Sequence, residues 1–440
     1  MLFLANGLLF ARRYEQHSAW YSKKITEVRE KPSTISTVLC PAPAQLAFIA
    51  EAGDNQAPAG YSLSPLGVVR PLPAGPRNVR FPAVPEPDWS FIIKVIFSLY
   101  AILIGYDAIA GEKERGTLRQ MLTGPLGRAR LLIAKYAAGI LTLGFPLLCG
   151  MIISLVTVAL SVPRVLTPSV LSDAVLTFFL GMVYLSLFAF LSLFVSSLLH
   201  DSSLVLLTLL VVWIFFTIII PNTAGILSEE ISAIPSEFSI AKELGPAIEK
   251  QVWDKIRLIE GLTEKGEITS EEELKRRTDQ AFNEGQQSLI SFYNSYEKAV
   301  RGRAEVARSI SRLSPTALFQ YAAEDISGTG IHGEERFLGN ARAYSEVYDR
   351  YIRGKTGKLV ASSGYGFGTF IELNGKQVYI SSPRAEEYPG DMSDFPRFVE
   401  SPRPAGEGVK KALMDLAGLL LWNIVLACGA IGAIMRSDVR

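Results

Sequence analysis

Residues 107–135 read DAIAGEKERGTLRQMLTGPLGRARLLIAK. The stretch lies between two long apolar runs and carries most of the specific information in the chain. Its first part, Gly111-Glu112-Lys113-Glu114-Arg115-Gly116-Thr117, is charged and bracketed by glycines. A short amphipathic stretch follows, with Leu118, Met121 and Leu122 on one helical face and Arg119 and Gln120 off it. Gly124-Pro125 then predicts a helix break. From Gly111 to Lys135 there are six Lys or Arg against two Glu. A short, net-basic loop between spans belongs on the cytoplasmic side of a membrane, and the topology of the rest follows from placing it there.

The chain has 440 residues, of which 49% are hydrophobic and 20% charged, with a mean hydropathy of +0.24. Soluble domains carry about a quarter charged residues. The apolar excess is gathered in blocks long enough to cross a bilayer, which takes about 20 residues. The fold class that follows is an α-helical polytopic membrane protein. A net charge of +1 says nothing about nucleic acid, but no basic patch is interleaved with aromatics, and no nucleic-acid partner is expected. Cys40, Cys149 and Cys428 make no disulfide framework, and the last two fall in apolar runs as packing residues.

Residues 1–13 hold too short an apolar run to span, and they read as the outer end of a first transmembrane helix whose beginning is missing. Residues 14–90 are polar and rich in proline and glycine, which predicts a small irregular outer domain or an extended arm. Complete spans are predicted at 91–110, 131–160, 174–199, 204–221 and 412–436, giving about six with the truncated first. Trp89 marks an outer interface, and Lys94 is close enough to it to snorkel. Gly144 and Pro146 interrupt the 131–160 span, where a kink is expected. Pro221-Asn222 is read as the end of the 204–221 span. With residues 111–130 inside, residues 14–90 and 222–411 are extracytoplasmic and 437–440 form a cytoplasmic tail.

Residues 222–411 are enough for a domain of their own, mainly helical. Ile240, Leu244, Ile248, Val252, Ile256 and Ile259 recur at three- and four-residue steps. Thr269 and Glu272 read as a capping box that opens a second helix. In it, Leu289, Tyr293, Tyr296, Val300, Ala307 and Ile310 form a heptad seam with Arg303 in the gap, so a long antiparallel helical hairpin is predicted. Ser314-Pro315 is an N-cap followed by proline at the first helical position. Gly328 and Gly330 end that helix, and another runs from Glu334 to Arg353. Leu373-Asn374-Gly375-Lys376 joins two short strands as a β-hairpin with a type I′ turn. The proline-rich stretch 383–404 reads as a linker back to the membrane.

Enzyme chemistry finds no motif. Gly354-Lys355-Thr356 looks like the end of a phosphate-binding loop, but Asp349 stands where its first glycine should be. His17, His200 and His332 are scattered without an HExxH pattern, so no metal site is expected. No GxSxG elbow occurs, and no cofactor is expected. Tyr344, Tyr348 and Tyr351 make a stripe on one helical face, read as packing. Ionisable residues in the spans (Lys94, Asp107, Lys135, Asp415) stay near span ends, whereas ion-coupled transporters carry them deeper. Transport here therefore needs energy from elsewhere, most simply a cytoplasmic ATPase subunit.

The run Tyr106-Asp107-Ala108-Ile109-Ala110-Gly111-Glu112-Lys113-Glu114-Arg115-Gly116-Thr117-Leu118, followed by Pro125, Arg130 and Lys135, resembles the ABC-2 family of transporter permeases. It is most similar to members found beside nitrous-oxide-reductase maturation and gliding-motility genes. Ser314-Pro315-Thr316-Ala317 through Gly328-Thr329-Gly330 also resembles a subgroup with large outer insertions. The resemblance implies the permease of an ATP-binding-cassette exporter in the bacterial inner membrane. Two permease subunits, identical or related, would sit in lipid above two cytoplasmic ATPase subunits. It also implies that Gly111, Glu112, Glu114, Arg115, Gly116, Thr117, Leu118, Met121 and Leu122 take the push of the ATPase. Glu112, Glu114 and Arg115 are then the expected polar docking contacts, and Leu118, Met121 and Leu122 the buried face. A second reading keeps the ATPase but moves nothing across the bilayer: the chain relays ATP hydrolysis to an outer partner through its helical hairpin.

Overall fold

A computed structural model describes residues 1–30, 32, 37–51, 60–63, 69–71, 87–118, 120, 127–232, 234, 237–356, 368–381, 391–404 and 406–436. Helix α1 (Leu2–Glu30) is followed by three short strands, β1 (Thr37–Leu39), β2 (Tyr61–Leu63) and β3 (Val69–Pro71), paired antiparallel in that order. Four long apolar helices come next: α2 (Trp89–Glu114), α3 (Arg128–Ser161), α4 (Pro168–Leu198) and α5 (Ser202–Ile231). The inserted region then supplies α6 (Glu237–Glu264), α7 (Glu271–Ser311), α8 (Pro315–Ser327) and α9 (Gly330–Thr356). A two-stranded sheet, β4 (Gly368–Leu373) with β5 (Lys376–Ser381), precedes a last apolar helix, α10 (Glu407–Arg436). Among the described residues, five helices are long and apolar enough to cross a membrane: α2, α3, α4, α5 and α10. The protein is thus a helical polytopic membrane protein with a helical extramembrane domain.

Helix α4 is the hub of the bundle. Its most apolar stretch is 61% buried, against 11% in α5, although both are apolar all round. The difference assigns α4 to the protein interior and leaves α5 facing lipid or another subunit. Tyr184, Leu185, Leu187 and Phe188 of α4 are fully buried.

Helix α1 packs on α3 through Phe3, Asn6, Gly7 and Phe10. A Cβ on Gly7 would lie 2.9 Å from that of Thr157, so the two helices meet backbone to side chain. Asn6 and Trp89 share the Ser154 hydroxyl, which donates to Asn6 Oδ1 (2.9 Å) and accepts from Trp89 Nε1 (2.9 Å). The helix runs on to Glu30, well past the apolar run, where an irregular segment was expected from residue 14. No glycine or proline falls between Leu8 and Glu30, so nothing in the chain stops it earlier.

The helical hairpin forms, with Val252, Ile256 and Ile259 on the buried face of α6 as expected, but the α7 side of the seam is not the expected one. Val252, Ile256 and Ile259 of α6 meet Leu274, Ala281 and Phe282 of α7, with Ile371, Leu373 and Ile380 of the β-hairpin packed on them. Leu289 and Tyr293 fall outside the described side chains. Val300 is 37% exposed, and the buried residues described in that half of α7 are the polar Arg308 and Ser311. Helix α7 has 41 residues against 28 in α6, so its second half runs past its partner and packs on the far end of α5 instead. The α7 N-cap is Ser270, without a side-chain cap bond, and not the Thr269/Glu272 box.

Other turns follow their residue chemistry. Asn374 (φ 53°) and Gly375 (φ 78°) give the left-handed pair of a type I′ turn. Ser314 caps α8 by accepting from Thr316 N (3.1 Å), and Gly328 closes it in the left-handed region. Pro146 is accommodated inside a continuous α3. Pro221 does not end α5. A π-helical turn, Phe215–Ile219, precedes it, and the wider turn removes the need for the amide hydrogen that proline lacks. Tyr344 and Tyr348 pack against Phe398 and Phe395, so the described part of the expected 383–404 linker is held on α9.

Candidate coupling site

Helix α2 ends in the segment singled out by sequence, and it is not continuous there. The chain breaks its α-helical hydrogen bonding at Tyr106, and a short helix, Asp107–Glu114, restarts beyond it. The Ile109 and Ala110 amides donate instead to Ser196 Oγ of α4, at 3.1 and 2.9 Å. Gly116, at φ +69°, turns the chain at the other end.

Glu112, Lys113, Glu114 and Leu118 are each placed by neighbours from other helices. Glu112 is 9% exposed and accepts from Lys135 Nζ of α3 at 2.5 Å. Its second oxygen, Oε2, has no hydrogen-bond partner among the described residues. Glu114 accepts from the Ser202 amide (2.7 Å) and hydroxyl (3.0 Å), closing the start of α5. Lys113 donates to the Ser196, Ser197 and Leu199 carbonyls at the end of α4, where a cation complements the helix dipole. Asp107 Oδ1 lies 2.9 Å from the same Ser202 Oγ, whose single hydrogen it shares with Glu114, and Asp107 Oδ2 lies 3.6 Å from an Arg115 nitrogen. Gly111 is required by that arrangement, since a Cβ there would fall 1.9 Å from Asp107 Oδ1. Thr117 Oγ1 donates to Glu112 O (3.3 Å). Leu118 is buried among Ile109, Leu131, Leu132, Leu193 and Ala430, beneath the segment.

Of the three residues expected to offer polar contacts, then, the structure turns Glu112 inward, ties Glu114 to α5 and leaves Arg115 with its side chain 61% exposed. Leu118 lies on the buried face as expected. Met121, Leu122 and the Gly124-Pro125 break lie outside the described residues. The inward role of Glu112 was hidden because its partner sits 23 residues on, among the basic residues that read as a flank.

A second polar cluster, at the opposite end of the bundle, was not visible in the sequence. Asp415 of α10 is fully buried and paired with Arg312 (2.6 Å) and Arg308 (3.5 Å) of α7. Arg308 also holds Asp325 of α8 (3.0 Å), which lies 2.6 Å from His332 Nδ1 of α9. Nearby, Lys94 of α2 donates to Gln320 Oε1 (2.8 Å), so it reaches into the protein and does not snorkel. Gln320 in turn donates to Glu324 (2.8 Å). Burial pushes the Glu324 carboxyl up to about 7, against the opposing pull of the Gln320 hydrogen bond, Arg308 and Lys94.

A raised carboxyl binds its proton more tightly in the folded chain than in the unfolded one. Stability therefore falls as pH rises from the ordinary value of 4.5 to about 7, and is level above it. Glu324→Gln removes this slope. In thermal unfolding of detergent-solubilised protein, the variant should match wild type near pH 5. At pH 8 it should exceed wild type by on the order of 2–3 kcal/mol. An unchanging difference between the two pH values would rule out the assignment.

Comparison with known proteins agrees with this architecture. The sequence profile described as ABC-2 family transporter protein matches residues 3–363. A Pseudomonas aeruginosa protein named as the probable ABC transporter permease protein NosY is 35% identical over 107 residues, covering 24% of this chain and 39% of that one. Its namesake from Stutzerimonas stutzeri is 41% identical over 70 residues, covering 16% and 25%. The matched segments therefore span well under half of either relative. The breadth of the profile match decides the assignment: this multi-pass protein of the bacterial inner membrane belongs to the ABC-2 family of transporter proteins.

Proposed function

We propose that the chain is the permease subunit of an ATP-binding-cassette exporter, driven by a separate cytoplasmic ATPase subunit that docks on residues 111–122. The observation that carries this reading is the seating of the segment. Through Glu112, Lys113, Glu114 and Leu118 it is tied to α3, α4, α5 and α10 at once, so a displacement there reaches four spans. Arg115 is the exposed charge available to a partner. In this reading the region 222–411 belongs to the outer side, with the end of α5 and α8 set into the bundle; a second permease subunit, identical or related, lies alongside, and lipid covers the remaining apolar faces. The names of the NosY proteins, with the resemblance carried by residues 106–118, support it.

A relay to an outer partner is the second reading, favoured by one feature. Lys94 joins α2 to Gln320 of α8, and Asp325 of α8 joins Arg308 of α7, so the helix that ends in the coupling segment is linked to the hairpin. A dimer interface open to water-soluble thiol reagents would mark the exporter. A sealed interface, with the hairpin moving on ATP binding, would mark the relay.

The test of docking is Arg115→Glu in the full chain, co-purified with its ATPase. Glu114 is a poor probe because it holds Ser202. Arg115→Glu should lower ATPase stimulation at least tenfold while membrane insertion and thermal stability stay as in wild type. Normal stimulation in this variant counts against the reading.

A further inference from the structure

The break in α2 at Tyr106 is closed by one hydroxyl from another helix. In an unbroken helix the Ile109 and Ala110 amides would bond to the carbonyls of residues 105 and 106. Here both go to Ser196 Oγ, at 3.1 and 2.9 Å, and that hydroxyl donates to Tyr106 O at 2.9 Å. A hydroxyl has one hydrogen to give and two lone pairs to accept with. All three are used, so Ser196 is saturated by the backbone of the break.

The surroundings make the contact close and dry. Ser196 is fully buried on α4. One turn earlier, Ser192 faces Gly105, where an added Cβ would come within 2.5 Å of Ser192 Cβ. One side of the short helix Asp107–Glu114 is thus fastened to α4, with Ser196 at its start and Lys113 on the last α4 carbonyls near its end. Only Tyr106 joins it covalently to the rest of α2.

We propose that Ser196 is a positioning residue for coupling: it holds α2 broken at Tyr106, so that the 107–118 segment moves with α4, the hub of the bundle, rather than as an extension of α2. This rests on the reading of residues 111–122 as the ATPase contact. Without the hydroxyl, the two amides and the Tyr106 carbonyl are left buried and unpaired, or α2 closes its own hydrogen bonds across Tyr106. Closing them straightens the helix and draws the segment away from α4. Either way a push on the segment no longer reaches α4 directly.

Threonine and valine have nearly the same shape, and only threonine keeps the hydroxyl. Ser196→Thr and Ser196→Val are therefore compared in the full chain, purified with the ATPase that accompanies it. Ser196→Thr should retain ATP hydrolysis within twofold of wild type. Ser196→Val should lose at least tenfold in kcat, with the KM for ATP and the amount of ATPase bound unchanged. Equal activity of the two variants overturns the proposal. So does failure of the valine variant to assemble beside a normal threonine variant, which would make Ser196 a residue of folding. If Arg115→Glu also leaves hydrolysis untouched, the docking reading fails. If Arg115→Glu uncouples and Ser196→Val does not, only the role of Ser196 fails.

Discussion

Asp415→Ala should destabilise the folded chain by about 3–5 kcal/mol, the range seen when one partner of a buried ion pair is removed. Asp415 has no exposure and receives both Arg312 and Arg308. Without it, Asp325 is the one carboxylate left to Arg308 among the described residues, beside a 3.3 Å contact to His332 Nδ1 and the face of Tyr321, and its Nε has no hydrogen-bond partner among those residues. Arg312 is less deeply buried, with its side chain 24% exposed, and can turn toward solvent. Most of the cost therefore falls on Arg308. The measurement is thermal unfolding of detergent-purified protein, with loss of a single monodisperse species as a second readout. Asp415→Asn should be the milder change, because its amide oxygen can still accept from Arg312. A melting temperature within a degree of wild type for Asp415→Ala would show that the arginines find other partners.

Lys135→Met should cost less in global stability, about 2–3 kcal/mol, and more in function. Lys135 keeps 21% of its side-chain exposure and Glu112 12%, so water offsets part of the loss seen in fully buried pairs. Glu112 would then carry a charge with neither oxygen bonded to any described residue, since Oε2 has no partner among them. The cheapest relief is for the segment to lift off α3, which exposes Leu118. ATPase stimulation by the variant should fall at least tenfold. The exchanged pair Glu112→Lys with Lys135→Glu should recover part of it. If the exchange is no better than Lys135→Met alone, the loss does not come from this ion pair.

What the sequence discloses here divides by the range of the interaction. The long apolar blocks disclose their spans because crossing a bilayer is a matter of local composition. Asn374-Gly375 and Ser314-Pro315 disclose a turn and a helix start because backbone preference is local too. Contacts across the chain are a different matter. Val300 fits a seam by spacing alone, but α6 is too short to cover it. Arg308 is polar and falls between seam positions, so nothing nearby marks it as buried. Its carboxylate partners are 17 and 107 residues away. In the coupling segment the charge pattern drew attention to the right residues. It could not say that Glu112 and Glu114 face helices of their own chain. Ser196, one of several serines in an apolar run, gave no signal, because its role depends on a break in a helix 90 residues earlier.

Helix α8 bears on how this protein can be cut and recombined. Ser314 donates to Phe216 O of α5, Thr316 meets Tyr184 of α4 and Thr217 of α5, and Leu318 rests on Gly418 of α10. Tyr184 and Thr217 lie near the middle of their helices, so the inserted region is threaded down into the bundle and does not rest on top of it. A chimera joined at residues 222 and 411 would pull this stem out with the graft and leave Tyr184 and Gly418 lining an emptied slot. A transplant that keeps the recipient bundle intact has both junctions within the α6–α7 hairpin.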